Sequence, residues 1–286
     1  MKKIDINNKI LIVGLGLIGG SYAEGLSKAG YEVGAISLNQ DDINYGLKKN
    51  IIASGYSEVK EEYVSQFDII IFALYPYLFI EWINKYQSFI KHNALILDVT
   101  GVKRKVVYEI QNILRDDLEF VGAHPMAGRE LSGVKNANAE IFKNANYIVT
   151  PTETNSEENI KKVEEIGKIL GFKNIVRLSP QKHDEMIAFL SQLTHCIAIS
   201  LMTCKESEHL SKYSGDSFRD LTRIAKINEN MWPELFLLNK DELISQMDLF
   251  INEFEKLKGY IEDENIEKMQ EMMRLSTKRR DFFDKK

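Results

Sequence analysis

Three short stretches carry side chains able to move protons or hold anions. His124-Pro125-Met126-Ala127-Gly128-Arg129-Glu130 sets an imidazole, a guanidinium and a carboxylate close together. An imidazole titrates near neutral pH, so His124 can take the proton of an alcohol while a hydride leaves the same carbon. A loop histidine bonded to backbone is the plainer alternative. Ser191-Gln192-Leu193-Thr194-His195 places Ser191 and His195 at i and i+4, on one face of a helix, as part of a site wall or as bonded polarity in a core. Ser217 to Ala225, S-F-R-D-L-T-R-I-A, spaces two arginines with a carboxylate between them. A guanidinium donates two parallel hydrogen bonds to a carboxylate. Arg219 has Asp216 and Asp220 as near partners, so Arg223 is the candidate for an anionic ligand.

These stretches must be positioned by a scaffold, and its start is Lys9 to Gly20, K-I-L-I-V-G-L-G-L-I-G-G. The apolar run Ile10 to Val13 suits a central parallel strand, covered on both faces by helices. Gly14, Gly16 and Gly19 follow as G-x-G-x-x-G, ahead of a helical stretch from Ser21 to Ala29 with Gly30 as its stop. This is the dinucleotide pattern: a tight turn, a close backbone approach for a diphosphate, and a helix whose N–H groups and dipole favour its charge. Gly14, Gly16, Leu17, Ile18 and Gly19 are therefore the expected cofactor contacts, with Leu74 from the loop after the strand Asp68 to Leu74. At the end of the second strand, Glu32 to Ile36, the ribose position is filled by Ser37 rather than a carboxylate. Asp41 and Asp42 come later and suit the cap of a helix running to Lys49. With neither carboxylate nor arginine there, NAD and NADP both stay open.

Further on, strand and helix alternate. Helix Tyr77 to Phe89, strand Ala94 to Val99, helix Val102 to Leu114 and strand Glu119 to Gly122 lead to the loop from His124. Strand Tyr147 to Thr150, helix Glu157 to Leu170 and strand Asn174 to Leu178 complete the series. That alternation predicts a doubly wound α/β sheet with ligands outside the carboxyl ends of its strands. After Ser179-Pro180 the periodicity is helical only, interrupted near Tyr213 to Ser217 and at Pro233. The helix after Gln181 is apolar on more than one face, which suits packing against a second subunit as well as its own neighbours, the alternative being a fully internal helix in a monomer.

Composition narrows the class. At 286 residues, 44% hydrophobic and 28% charged, the chain is expected to fold as two soluble domains with no apolar run long enough for a bilayer. No export signal is visible, which predicts a cytoplasmic protein. A net charge of −5 argues against nucleic acid as main partner, and the basic tail reads as a solvated helix end. Cys196 and Cys204 read as reduced core thiols, and with His195 and His209 they lack metal-ligand spacing, so no metal site is expected.

Taken together, the G-L-G-L-I-G-G turn, the H-P-M-A-G loop and F-R-D-L-T-R-I-A followed by Met231-Trp232 resemble the prephenate and arogenate dehydrogenases of tyrosine biosynthesis, from Ile10 to about Asn239. The resemblance implies a Rossmann-type nucleotide-binding domain over 1–179, then an all-α dimerisation domain over 180–286 that forms a homodimer. It implies NAD as cofactor, NADP not being excluded, and oxidative decarboxylation of prephenate to 4-hydroxyphenylpyruvate. Arogenate is the rival substrate, and a nucleotide-binding sensor without turnover the rival class. His124 would accept the ring hydroxyl's proton, Arg223 would hold a substrate carboxylate, and His195 and Ser191 would complete the substrate wall. Glu130 would pair with the substrate arginine and Trp232 would line the site. The chain departs from the family twice. Thr100-Gly101 stands where G-S is frequent, so Thr100 is the candidate to replace the catalytic serine. S-Q-L-T-H replaces S-H-x-P-H, which introduces Gln192 and Thr194.

Overall fold

The computed structural model describes residues 4–128, 131–206 and 208–283. Its frame is a sheet whose central strands are short apolar runs buried on both faces: β1 (Ile10–Val13), β2 (Val33–Ile36), β4 (Ile69–Phe72) and β5 (Leu95–Asp98). Alternate side chains feed two cores. Ile10, Ile12, Ile69 and Ile71 pack beneath α1 (Leu17–Lys28) and α6 (Glu157–Ile169). Leu11, Val13, Ile70 and Phe72 pack beneath α4 (Pro76–Tyr86) and α5 (Arg104–Ile113). Burying one such side chain stabilises by about 1.5–3 kcal/mol, so this two-sided packing holds the strand ends in place.

The sheet has eight strands in the order β3-β2-β1-β4-β5-β6-β7-β8. The edge strand β3 (Ser54–Tyr56) pairs parallel with β2 and was not predicted, because S-G-Y offers no apolar run. β6 (Glu119–Pro125) reaches three residues beyond the expected strand end, so His124 belongs to a strand rather than a loop. It pairs parallel with β5 but antiparallel with β7 (Asn146–Thr150), His124 standing opposite Ile148. The doubly wound sheet thus contains one reversal, and β8 (Asn174–Arg177) closes it in parallel with β7.

Local details follow from end chemistry. α1 begins at Leu17, four residues earlier than the periodicity indicated, with Gly16 as its cap. In α2 (Gln40–Lys48) the capping side chain is Asn39, which accepts from the Asp41 N–H, while Asp41 and Asp42 sit in the first turn. α3 (Glu61–Val64) precedes β4.

Beyond Ser179, which caps it by accepting from the Lys182 N–H, a continuous helix runs from Pro180 to Thr203. It comprises α7 (Pro180–Ile187), a widened π segment (Ala188–Leu193) and α8 (Thr194–Thr203). This 24-residue helix holds an 18-residue window with a mean hydropathy of 1.5, long and apolar enough to cross a bilayer, contrary to expectation. Its buried positions include His183, Asp184 and Gln192, each hydrogen-bonded within the protein, while 28% of its apolar window is buried. α9 (Asp216–Thr222), a turn at Arg223–Ala225 and α10 (Trp232–Leu238) follow; Pro233 sits in the first turn of α10 and starts a helix rather than breaking one. Cys196 is half-buried and Cys204 exposed, so the second is not a core thiol.

By packing, the chain divides into Met1–Asn239 and Lys240–Lys286. The second unit is a hairpin of α11 (Lys240–Glu262) and α12 (Ile266–Arg280). Among its described residues only Leu243 is buried, while Leu249, Ile251, Phe254 and Ile266 are exposed.

Candidate active site

The glycine turn is shaped by backbone contact. Gly14 has φ +99°, and a β-carbon there would lie 2.4 Å from the Ala73 carbonyl oxygen and 2.9 Å from Leu74 Cδ2. A β-carbon at Gly19 would meet the Gly14 oxygen at 2.0 Å, so α1 packs directly against the turn. Gly16 differs: nothing lies within 4 Å of its β-position. Its smallness answers to no protein neighbour, which fits a cradle for a diphosphate. No side chain caps α1, and its first turn holds no acidic residue, so backbone N–H groups there suit an anion. Leu17 is buried and Ile18 packs on the core, leaving their main chain to address a phosphate. Ser37 is half-buried at the end of β2, its N–H bonded to the Tyr56 carbonyl at 3.2 Å.

His124 projects from the same face of β6 as its neighbour Gly122, and its Nδ1 lies 2.8 Å from His183 Nε2. His183 Nδ1 lies 2.7 Å from Asp184 Oδ1. The Asp184 carboxylate also accepts from the N–H groups of Lys103 and Arg104, each at 2.8 Å, and so caps α5 from another helix. Its protein partners are all donors, which fixes the tautomers in sequence. His183 carries its proton on Nδ1 and accepts at Nε2; neutral His124 then donates from Nδ1 and keeps a lone pair on Nε2. That nitrogen faces Gly101, whose added β-carbon would sit 3.9 Å from it and 3.6 Å from Leu235 Cδ1. Burial, with His183 and Lys103 nearby, pushes the His124 imidazole well below its usual range. Burial also lowers His183, against the opposing pull of Asp184. Both rings are therefore neutral near pH 7, the form in which an imidazole can accept a proton.

Thr100 does not join this chain. Its hydroxyl bonds to the Asp98 carboxylate and lies 2.9 Å from the Val102 carbonyl, while Lys103 Nζ donates to it at 3.0 Å. The expected catalytic hydroxyl is thus committed to a buried ion-pair cluster, and what adjoins His124 Nε2 is Gly101.

On the helical side, His195 Nδ1 lies 2.8 Å from the Ser191 carbonyl oxygen, one turn back, and its ring lies over Trp232 with centroids 3.9 Å apart. Ser191 thereby contributes its main chain. Gln192 is buried, donating to the Leu235 carbonyl at 2.8 Å and accepting from Asn239 Nδ2 at 2.8 Å. It fastens α10 to this helix. The turn Arg223–Ala225 packs against α8, which brings Arg223 to the helix that carries His195. Arg219 sits 3.6 Å from Asp216, the structural pairing expected for it. Two bonds tie the loop after β4 to this region: Asn228 Nδ2 donates to the Tyr75 hydroxyl at 3.1 Å, and Glu234 accepts from the Tyr77 N–H at 2.6 Å. Glu130, with Arg129, lies outside the described residues.

His183 and Asp184 were missed by the sequence reading, since their partner His124 lies 59 positions away. The available signal was a His-Asp pair one helical turn before the buried Ile187 and Ala188, which places polar groups on a core-facing stripe.

Comparison with known proteins agrees with this architecture. The family model described as prephenate dehydrogenase, nucleotide-binding domain, matches residues 23–176, and the model described as prephenate dehydrogenase, dimerization domain, matches residues 179–275. A prephenate dehydrogenase of Bacillus subtilis is 33% identical over 275 residues, covering 92% of this chain and 73% of that protein. One from Lactococcus lactis subsp. cremoris is 33% identical over 251 residues, covering 85% and 68%. Among solved structures, prephenate dehydrogenase from Aquifex aeolicus in complex with hydroxyphenyl propionate and NAD+ superposes with a TM-score of 0.88 at 30% identity, covering 97% of this chain and 98% of that one. The chain therefore belongs to the prephenate dehydrogenase family of oxidoreductases.

Proposed function

We propose that this protein is an NAD-dependent prephenate dehydrogenase that converts prephenate to 4-hydroxyphenylpyruvate, with His124 as the proton acceptor. The observation that carries the reading is the His124–His183–Asp184 chain, which leaves one imidazole lone pair facing the gap at Gly101. NAD, when bound, supplies the hydride acceptor for the ring carbinol carbon. Gly14, Gly16, Gly19 and the first N–H groups of α1 hold its diphosphate, and Ser37 and Leu74 flank it.

The proton bookkeeping identifies what the residues must do. As the carbinol C–H leaves as hydride, the hydroxyl proton passes to His124 Nε2, and the carbon–oxygen bond becomes a carbonyl. His183 stabilises the imidazolium by accepting from Nδ1, and Asp184 supports His183 in turn. The ring carboxylate then departs as carbon dioxide, its bonding pair flows toward the carbonyl, and a phenolate results. His124 returns its proton to that same oxygen. No net proton is released, so the histidine needs no exchange with solvent within a turnover. Arg223 binds a substrate carboxylate, while His195, Ser191, Trp232 and Glu130 line the substrate space. Domains 1–179 and 180–286 divide the work, and the exposed apolar residues of α11 and α12 pair in a homodimer. The protein works in the cytoplasm, with neither membrane nor nucleic acid as partner.

Initial rates with prephenate and arogenate, each with NAD and NADP, test the reading. NAD reduction on prephenate is expected, and His124→Asn should retain cofactor binding while lowering kcat by about 10² to 10⁴. Cofactor binding without reduction on either substrate would make the protein a sensor instead.

A further inference from the structure

Next to the proton chain lies a second polar cluster that the mechanism does not use. Lys103 and Asp98 are both fully buried, with Nζ 2.6 Å from Asp98 Oδ2. Asp98 further accepts from the Thr100 N–H at 3.1 Å and the Ala123 N–H at 3.0 Å. Ala123 immediately precedes His124, so this carboxylate pins the strand that carries the base. Lys103 touches both clusters, its ammonium in one and its N–H on Asp184 in the other. Room is made for its stem at Gly122, where an added β-carbon would come within 3.5 Å of Lys103 Cδ and 2.4 Å of Thr150 Oγ1. An ammonium sealed from water is costly, and a neutral side chain would fill the same space.

We infer that Lys103 is a positioning residue that sets the charge of the proton chain, its buried ammonium offsetting Asp98 so that His124 and His183 stay neutral and ready to accept a proton. Deepening the reading above, this account rests on His124 being the base. Asp98 and Lys103 cancel, Asp184 leaves one negative charge, and protonation of the histidine pair brings these groups to neutrality. Without the ammonium the pair would face two carboxylates and hold a proton far more tightly. Around the rings, Gly101 and Leu235 are apolar and Ile148 stands opposite His124, while the charged residue Arg104, exposed, gives its N–H to Asp184. Lys182 and Glu185 pair with each other on the exposed side of α7. Tyr22 and Tyr147, which feel Asp98, are buried phenols raised above their usual range and stay neutral. Burial is the main cause of the lowered proton affinities of both histidines, and Lys103 adds to it in the same direction; burial lowers Lys103 too, against the pull of Asp98 and Asp184.

The test is histidine titration by ¹H–¹⁵N NMR on the full chain without substrate, five histidines being few enough to assign by single substitution. Lys103→Met should raise the proton affinity of the His124–His183 pair at least about tenfold, one pH unit in midpoint. Lys103→Gln, whose amide can still donate to Asp98, should act in the same direction and serves if the Met variant does not fold. The double variant Lys103→Met/Asp98→Asn removes both charges and should return the midpoint to within about threefold of the parent. The acid limb of the kcat/KM profile should follow each shift. A folded Lys103→Met or Lys103→Gln protein whose midpoint moves less than threefold, or a double variant that remains shifted, overturns the inference. Because the titration is read without turnover, an inactive protein with the expected shifts would refute the dehydrogenase reading alone, and an active one without them would refute only the role of Lys103.

Discussion

Replacing Asp184 by Asn probes the proton chain at its far end. The carboxylate takes three donors, the N–H groups of Lys103 and Arg104 and His183 Nδ1, at 2.7 to 2.8 Å. An amide offers one acceptor oxygen and a donor NH₂. Whichever way it sits, at least one donor meets another donor. Oδ1 takes both the Lys103 N–H and His183 Nδ1 while Oδ2 takes the Arg104 N–H, so with the amide oxygen at the Oδ2 place the NH₂ faces His183 Nδ1, and His183 relieves the clash by moving its proton to Nε2. That proton then points at His124 Nδ1, so neutral His124 must carry its own on Nε2. The base would be loaded before the substrate arrives. Where a buried carboxylate fixes an imidazole tautomer, Asn in its place costs on the order of 10⁴ in kcat. With a second imidazole intervening, we expect a fall of about 10³ to 10⁴, or about 4 to 5.5 kcal/mol in barrier. The lost charge-assisted bonds should also destabilise the fold by about 1.5–3 kcal/mol each. Steady-state NADH formation at saturating prephenate measures the first effect, with NAD binding as control and urea unfolding measuring the second. A folded variant whose kcat stays within threefold of the parent would show that the chain does not set the tautomer of the base.

Other outcomes follow from the same geometry. Gly16→Val should leave the melting temperature nearly unchanged, because its β-position is open, yet weaken NAD binding at least about tenfold by calorimetry; unchanged affinity would place the diphosphate elsewhere. Arg223→Ala should chiefly raise KM for prephenate, by about 1.5–3 kcal/mol in kcat/KM, and an unaltered KM would give that arginine a structural task. His124 and His183 are held below their unfolded values, so the folded state resists protonation that the unfolded chain accepts. Their contribution is complete above about pH 6.5 and is lost as pH falls below it, so the melting temperature should decline from there, and less steeply in His183→Gln.

The parts of the fold that were legible in the sequence are those where one physical demand acts locally. Ile10–Val13 and Ile69–Phe72 are apolar throughout, and Leu95–Asp98 is apolar up to its last residue, because helices cover both faces, and each was recognisable as a strand. The glycine turn was legible because Gly14 and Gly19 each meet backbone too closely for a side chain, with Gly16 open between them. β3 was not, since an edge strand of three residues buries too little to need an apolar signature. The strand state of His124 was hidden by Pro125, which lacks an N–H, and by a partner that runs antiparallel. His183 and Asp184 escaped because their significance lies across elements: spacing within a helix reveals neighbours on that helix, but not the strand packed against it. The partners of Thr100 are local, Asp98 two residues before it and Lys103 three after, but spacing alone does not show that the Lys103 side chain folds back into the core to meet them.

The widened turns at Ala188–Leu193 have a rotational consequence. His183 and His195 are twelve residues apart, which in a regular helix at about 100° per residue would leave them about 120° apart in azimuth. A turn closed by i→i+5 bonds advances only about 80° per residue, so six such residues take up most of that offset and bring the two imidazoles to the same meridian. Removing a single residue there would restore a uniform helix whose eleven steps, at about 100° each, leave His195 within about 20° of the bearing of His183, so the widened segment absorbs one extra residue without turning His195 off Trp232.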